Sequence, residues 1–560
     1  MIRLKDIKLP AGHSGADMLD EIVRIACLDK IYPGNSYPDF SYEIVRRSID
    51  ARKKPDIYFV YTVKLLVSDK DEEHIIKSLN KLSSTPRVKK MADKIITEPE
   101  RLYSIPECGD SVLDKPPVVI GAGPAGLFTA LLLARKGFCP VVIERGQDVD
   151  ERTKTVNDFW KTGKLDIRSN VQFGEGGAGA FSDGKLNTLT KDSGRNGFVL
   201  RTFYEHGASK DVTIDAKPHV GTDVLATVVR SIREEIISLG GTVRFNTQLT
   251  GIDITGGAVS SVTVKDLKTG DCEKIKTDIC VLAIGHSARD TFEMLCGMGI
   301  RMSQKSFAVG FRAIHPQKLV NKWQYGVEDP TSLGLPPADY KVANAASNGR
   351  RVYSFCMCPG GYVVNASSEE GRTCVNGMSG SKRDGEFANS AIIAAIDPDD
   401  FIQDTVDKDH PLAGMYYQRR IEEECFMRGN GAIPAQRFAD FENKTVSDEL
   451  PGIEEGVRGS YKSADLRGIF SPSIDEAIIE SMHKFGYTMK GFDDEATLLG
   501  IESRTSSPVR IERNSDLESD IKGLYPCGEG AGYAGGIVSA ATDGIKVSEK
   551  IIENYRFERK

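Results

Sequence analysis

The chain has 560 residues, 40% hydrophobic and 27% charged, with a net charge of −7. That length implies two to four domains, and the composition is that of a globular protein. The mild acidity argues against a nucleic-acid binder whose whole surface is basic. Eleven cysteines, with no C-x-x-C pair and no zinc-ligand spacing, imply reduced thiols and no metal site. The opening MIRLKDIKLPAGHSG has no apolar h-region and no cleavage site, so the expectation is a cytoplasmic protein without a secretory signal.

In chain order, IRLKDIKLP alternates as a strand and GADMLDEIVRIACLDK has helical spacing. SYEIVRRSIDAR and DIYFVYTVKLLV are β-rich, DEEHIIKSLNKL reads as a second helix, and DKIITEPERLYSI as a last extended piece. The order βαββαβ predicts a ferredoxin-like unit over residues 1–110. Its basic run, Arg46 to Lys54, reads first as a solvated strand edge and second as a contact for RNA, an acidic partner or a nucleotide. A connector, IPECGDSVLDKPP, follows.

The apolar run Val118 to Ala134 contains three glycines and a proline, which favours a buried strand–turn–helix over a membrane span. Val118, Val119 and Ile120 make the strand. Gly121, Gly123 and Gly126 give G-x-G-x-x-G, LFTALLLARKG makes the helix, and PVVIE makes a second strand ending at Glu144. Gly121 permits the tight turn, Gly123 lets the backbone approach a pyrophosphate, and Gly126 lets helix pack on strand. The helix N-terminus faces the phosphates. Glu144, 23 residues after Gly121, is placed to accept from a ribose hydroxyl. The pattern recurs at Gly174/Gly176/Gly179 and at Gly530/Gly532/Gly535, but only the first match has strand, turn, helix, second strand and acid together. These residues predict a dinucleotide site and leave NAD and FAD open. Residues from 118 to about 300 alternate strand and helix, residues 301–504 are richer in short strands and turns, and the last forty return to strand then helix.

Residues 115 to 560 resemble a flavoprotein of the two-dinucleotide-binding type, and specifically the bacterial FAD-dependent dehydrogenases with an extra N-terminal domain. Three motifs carry the resemblance: GAGPAGL with VVIERG, TDICVLAIGHSARDTFEML, and GLYPCGEGAGYAGGIVSAATDGIKVSEKI. It implies an α/β fold with a Rossmann-like FAD-binding domain, in two parts at 111–300 and 505–560, and an inserted α+β substrate domain at 301–504. Gly121, Ala122, Gly123, Pro124, Ala125, Gly126, Glu144 and Arg145 would then bind FAD. Ala283 and Gly285 would form a turn near it, and Leu249 is the candidate adenine contact. Glu529, with Gly528 before it, stands where many relatives have Asp and would meet the ribityl chain. Gly535, Gly536 and Ile537 would point a helix start at the isoalloxazine. In the segment FGEGGAGAFSDGKL, Gly176, Gly177, Gly179, Ser182 and Lys185 would lie along the cofactor.

Catalytic candidates are few. Arg312 and His315 lie close in sequence, as a carboxylate holder and an acid–base group, although a structural histidine beside Pro316 is an equal reading. Cys356 and Cys358, two apart, share one face of a strand and read as a redox dithiol or as small buried hydrophobes. Pro359, Gly360 and Gly361 resemble a flavin-facing turn of isoprenoid reductases and hint at an apolar small-molecule substrate. Glu502, Arg504 and Arg510 suggest an anion site or a charge network. The resulting expectation is an FAD-dependent oxidoreductase passing a hydride between FAD and an organic substrate; since no second complete fingerprint is present, either NAD(P)H is a transient visitor or the substrate is oxidised directly. The alternatives are a flavin monooxygenase and a structural-FAD protein with an RNA- or partner-binding N-terminal module.

Overall fold

The computed structural model describes residues 1–32, 34, 37–82, 91, 93–97, 103–401, 407 and 409–558.

 Residues 33, 35, 36, 83–90, 92, 98–102, 402–406, 408, 559 and 560 therefore lie outside the described set, and with them part of the extended piece DKIITEPERLYSI. Among the described residues, no helix is long and apolar enough to cross a membrane.

The chain begins with strand Ile2–Pro10, helix Gly15–Ile25, strands Ser41–Lys53 and Asp56–Leu66, helix Asp69–Leu82 and the short strand Ile95–Ile96. Ser14 starts the first helix with a capping box, its side chain accepting from the Asp17 N–H while the Asp17 carboxylate accepts from the Ser14 N–H at 2.7 Å. Met18, Ile22 and Ile25 are buried on one face of that helix, and Ile75 and Leu79 on the second, the spacing that places side chains on a common helix face. The four strands form one antiparallel sheet in the order 41–53, 56–66, 2–10, 95–96.

This sheet is joined to the rest of the chain through its edge. The Arg47 N–H donates to the Ile214 carbonyl at 2.9 Å, and the Ala216 N–H donates to the Arg47 carbonyl at 2.8 Å. The Arg47 guanidinium forks onto Asp215 at 2.7 and 3.0 Å, and Lys54 Nζ donates to the Trp323 carbonyl. The basic run is thus partly engaged inside the molecule, where a solvated edge was the first expectation.

A five-stranded parallel sheet forms the centre, in the order Leu524–Pro526, Cys280–Leu282, Val118–Ile120, Val141–Ile143, Thr242–Arg244. Its three central strands are almost wholly buried, which is why they are continuous apolar runs without alternation. Strand Leu524–Pro526 thus joins a sheet whose first strand is Val118–Ile120, about 400 residues earlier. Helix Pro124–Arg135 leaves the first strand, and helix Ile537–Asn554 packs against it. The approach is close: Thr129 Oγ1 donates to the Gly544 carbonyl at 3.1 Å, and a Cβ on Gly544 would meet the Ala125 carbonyl oxygen at 2.2 Å.

Residues between these parts build a second, seven-stranded sheet, in the order 343–345, 351–358, 387–396, 307–316, 497–502, 433–437, 461–463. All its pairs are antiparallel except the last. The central strand Phe307–Pro316 is buried along nearly its whole length. The whole is a mixed α/β fold.

Candidate functional site

A cleft of about 340 Å³ opens at the carboxyl ends of the parallel strands and runs to the seven-stranded sheet. Its floor lies where the strand order reverses. The chain moves outward on one side from 118–120 to 141–143 and 242–244, then returns to the other side at 280–282, the place where open α/β sheets bind ligands. Gly121 has φ +104°, and a Cβ there would meet the Ala283 carbonyl oxygen at 2.3 Å; a Cβ on Gly126 would meet the Gly121 carbonyl oxygen at 1.9 Å. Only glycine fits either position, so the turn and the helix lie directly against the neighbouring strand.

Two helices begin at the cleft, at Pro124 and at Ile537, with Gly123 and Gly536 as N-caps and no side-chain cap on either. Their first N–H groups, unsatisfied within the helix, form an anion-receptive end. A Cβ on Gly285 or Gly535, both on the cleft wall, would meet nothing within 4 Å, so these residues leave open a cradle that a side chain would fill.

Glu144 is buried and lines the cleft. Its carboxylate accepts from the N–H groups of Ala122 at 2.9 Å, Gly146 at 2.9 Å and Gly174 at 3.0 Å. It therefore ties the first glycine turn to the 173–186 segment, and a carboxylate with about four lone-pair sites keeps capacity for one more donor. Arg145 lines the cleft, lies over the Phe173 ring at 4.4 Å, and pairs with Asp290 at 2.8 Å.

Of the other expected cofactor residues, Gly123, Pro124, Ala125, Gly177, Gly179, Ser182, Lys185, Leu249, Ala283, Gly285, Glu529, Gly535, Gly536 and Ile537 join Gly121 on the cleft wall. Ala122, Gly126, Gly176 and Gly528 stand just behind it. Their work is bracing: the Gly176 N–H donates to the Ala122 carbonyl at 2.8 Å and the Gly528 N–H to Asp543 at 2.7 Å. Ser182 is engaged locally, donating to the Gly179 carbonyl at 2.8 Å and accepting from the Gly184 N–H. Lys185 donates to the Met357 carbonyl and pairs with the buried Asp183 at 3.0 Å.

The catalytic candidates separate. His315 lies away from the cleft, its Nε2 2.8 Å from the Phe492 carbonyl and its ring among Phe492, Trp323 and Tyr340. Burial pushes it down to about 4, so the acid–base expectation is corrected to a structural histidine. Arg312 is buried behind the cleft wall and forks onto Glu502 at 2.9 and 3.1 Å, with Asn389 at 2.7 Å. It holds Glu502, which does line the cleft, and has no carboxylate-binding valence left for a substrate. Cys356 lines the cleft and is half-buried, with Cys358 fully buried behind it. A bulge interrupts the strand here and Cys356 has φ +44°, so the simple shared face expected for alternate strand residues is replaced by a kink.

The Pro359–Gly361 turn stays outside the cleft wall and packs on the 383–385 segment, so it lends no support to an apolar substrate. Arg504 reaches the cleft but is held by Glu422 at 2.8 and 2.9 Å, while Arg510 lies over the Tyr533 ring. Glu422 also takes both Arg289 contacts at 2.8 Å, so Arg504, Arg289 and Glu422 form a buried charge network, whereas Arg510 is exposed.

His286 is the cleft residue that sequence reasoning passed over, although it directly follows Gly285 in a motif already singled out. Its Nε2 lies 3.8 Å from the Glu529 carboxylate. Burial, with Arg504 and Arg289 nearby, pushes it down to about 3, so it stands neutral. Burial likewise pushes the Glu529 carboxyl up to about 7, against the pull of Lys305. Asn376, Phe355 and Thr505 complete the wall on the side of the second sheet.

Comparison with known proteins agrees with this geometry. Residues 115–329 match an FAD binding domain, residues 306–505 match the C-terminal domain of FAD-dependent proteins, and residues 37–66 match a domain of unknown function. The chain is 46% identical over 518 residues to an uncharacterized protein of Clostridium beijerinckii, with 92% of each chain covered. Among solved structures it is similar to a flavoprotein/dehydrogenase from Cytophaga hutchinsonii, at 13% identity and TM-score 0.32 over 78% of this chain and 76% of that one. Quinol fumarate reductase of E. coli matches at 13% identity and TM-score 0.32 over 79% and 71%; at that similarity neither bears on the reaction. The glycine turn, the paired helix starts and the two matched domains agree: the chain belongs to the family of FAD-binding flavoprotein oxidoreductases that carry an FAD-dependent C-terminal domain.

Proposed function

We propose that the protein is an FAD-dependent oxidoreductase that transfers a hydride between FAD and an organic small molecule. One observation carries the reading: two uncapped helix N-termini, from chain positions over 400 residues apart, open into a single cleft with a buried acid at the first strand pair. When bound, FAD supplies a ring that accepts or donates two electrons with a proton.

The residues of the chain divide the work. The helix start at Pro124 and the backbone of Gly177 and Gly179 receive the phosphates, and Glu144 offers its remaining lone pair to a ribose hydroxyl. Leu249 forms the adenine wall, Glu529 accepts from the ribityl chain, and the helix start at Ile537 meets the ring. Cys356, Asn376, Glu502 and His286 face the substrate side, with Arg312 as a positioning residue behind Glu502. FAD-binding parts at 111–300 and 505–560, a substrate domain at 301–504 and a ferredoxin-like unit at 1–110 are the corresponding domain boundaries. The strand order 41–53, 56–66, 2–10, 95–96 supports the last of these.

NAD(P)H is proposed as a transient donor. Anaerobic titration with NADPH and then NADH, followed by flavin absorbance, tests this: rapid bleaching by one of them is expected. No bleaching by either, with normal reduction by dithionite, would remove NAD(P)H as donor. Substrate-stimulated peroxide formation in air would instead favour a monooxygenase.

A further inference from the structure

We infer that Cys356 and Cys358 form a redox-active dithiol that exchanges an electron pair with FAD in the cleft. The inference rests on the FAD reading above and adds to it a second redox centre built from the chain itself.

The two thiols are placed differently from ordinary buried cysteines. Cys356 is on the cleft wall, half-buried, and Cys358 is buried immediately behind it. In a regular strand, alternate residues stand about 6.7 Å apart, at the far edge of the roughly 4.4–6.8 Å that a disulfide spans. Here the pairing with strand Phe387–Ile396 shifts register between Phe355 and Cys358, and Cys356 takes φ +44°. The strand is kinked at the pair, and Cys358 Sγ turns to within 3.2 Å of the Cys356 carbonyl oxygen. A cysteine in the left-handed region is strained backbone, which persists where its surroundings hold it and clusters at functional sites.

Two cations flank the kink. The Lys185 ammonium donates to the carbonyl of Met357, the residue between the two cysteines. The Arg312 guanidinium donates to the Cys356 carbonyl at 3.1 Å and lies 3.9 Å from Cys358 Sγ. A hydrogen bond from Cys358, with Lys185 and Arg312 nearby, lowers the Cys356 thiol below its ordinary value, while burial raises that of Cys358. Such an electropositive, accessible site favours the thiolate, the reactive form. Lys185 belongs to the glycine-rich 173–186 segment, so that segment joins the cofactor wall to the thiols.

The step balances within the named components. One S–S bond forms between the two sulfurs and both S–H bonds are lost. Two electrons and one proton pass to FAD, and the second proton leaves to solvent. The reverse returns the pair to dithiol.

The test uses the purified flavin-containing protein. Thiols are alkylated in denaturant before and after anaerobic reduction, the peptide carrying both cysteines is weighed, and the dithionite uptake per flavin is measured. The oxidised protein is expected to show this peptide unalkylated and lighter by two hydrogens than the dithiol, becoming doubly alkylated after reduction. Dithionite uptake is expected to be twice that of the flavin alone, falling to the flavin value in Cys356→Ser and Cys358→Ser with FAD still bound. If either variant fails to fold, the wild-type alkylation pattern decides. Bound flavin with both thiols free in every state and single-flavin uptake would overturn the dithiol and leave the FAD reading standing. A protein without flavin, unable to take it up, would overturn both.

Discussion

Glu529 lies in the cleft as a half-buried acid whose carboxyl is pushed up to about 7 from 4.5 by desolvation. The folded chain keeps that proton at pH values where the unfolded chain has lost it. The contribution to stability is therefore fully present below about 4.5 and is lost as pH rises through about 7. Glu529→Gln in the FAD-free protein should flatten this decline, read from urea midpoints across that range; an unchanged slope would contradict the assignment. At the same scale, the two histidines show what single residues conceal. Arg312 and His315 drew attention as near neighbours, but residues three apart on a strand face opposite sides, and His315 ends in an aromatic core. His286 reaches the cleft because the turn at Gly285 carries it there.

Between strands and helices, the local fingerprint was the legible part. Strand, glycine turn and helix at 118–135 are fixed by near neighbours and by the absence of side chains at Gly121 and Gly126. Gly126→Ala sets a Cβ 1.9 Å from the Gly121 carbonyl oxygen, and neither backbone can yield. It should lower stability by about 3 kcal/mol or more and abolish flavin binding. Gly535→Ala, with open space around its Cβ, should change stability by only about 0.5 kcal/mol, and equal losses in chemical denaturation of the two variants would contradict this. The seven-stranded sheet was not legible, because its neighbours come from distant parts of the sequence: strand 307–316 lies between 387–396 and 497–502. The bulge at Cys356 depends on that partner strand and left no mark in the spacing of the two cysteines.

Across the whole molecule, the N-terminal order of strands and helices could be read from periodicity, but its docking could not. Docking depends on Asp211 and Asp215, which lie over 160 residues from Arg47. Arg47→Glu would place three carboxylates together and weaken the main-chain pairing beside them. The Ala216 amide, which donates to the Arg47 carbonyl, should then exchange its hydrogen about tenfold faster, equivalent to ~1.4 kcal/mol; unchanged exchange would show that the ion pair does not hold the unit. The cleft into which the helices starting at Pro124 and Ile537 open is tested by the amount of FAD released on denaturing the purified protein. One FAD per chain is expected, either as isolated or after incubation with FAD and removal of the excess. A protein that neither carries nor retains FAD would contradict it.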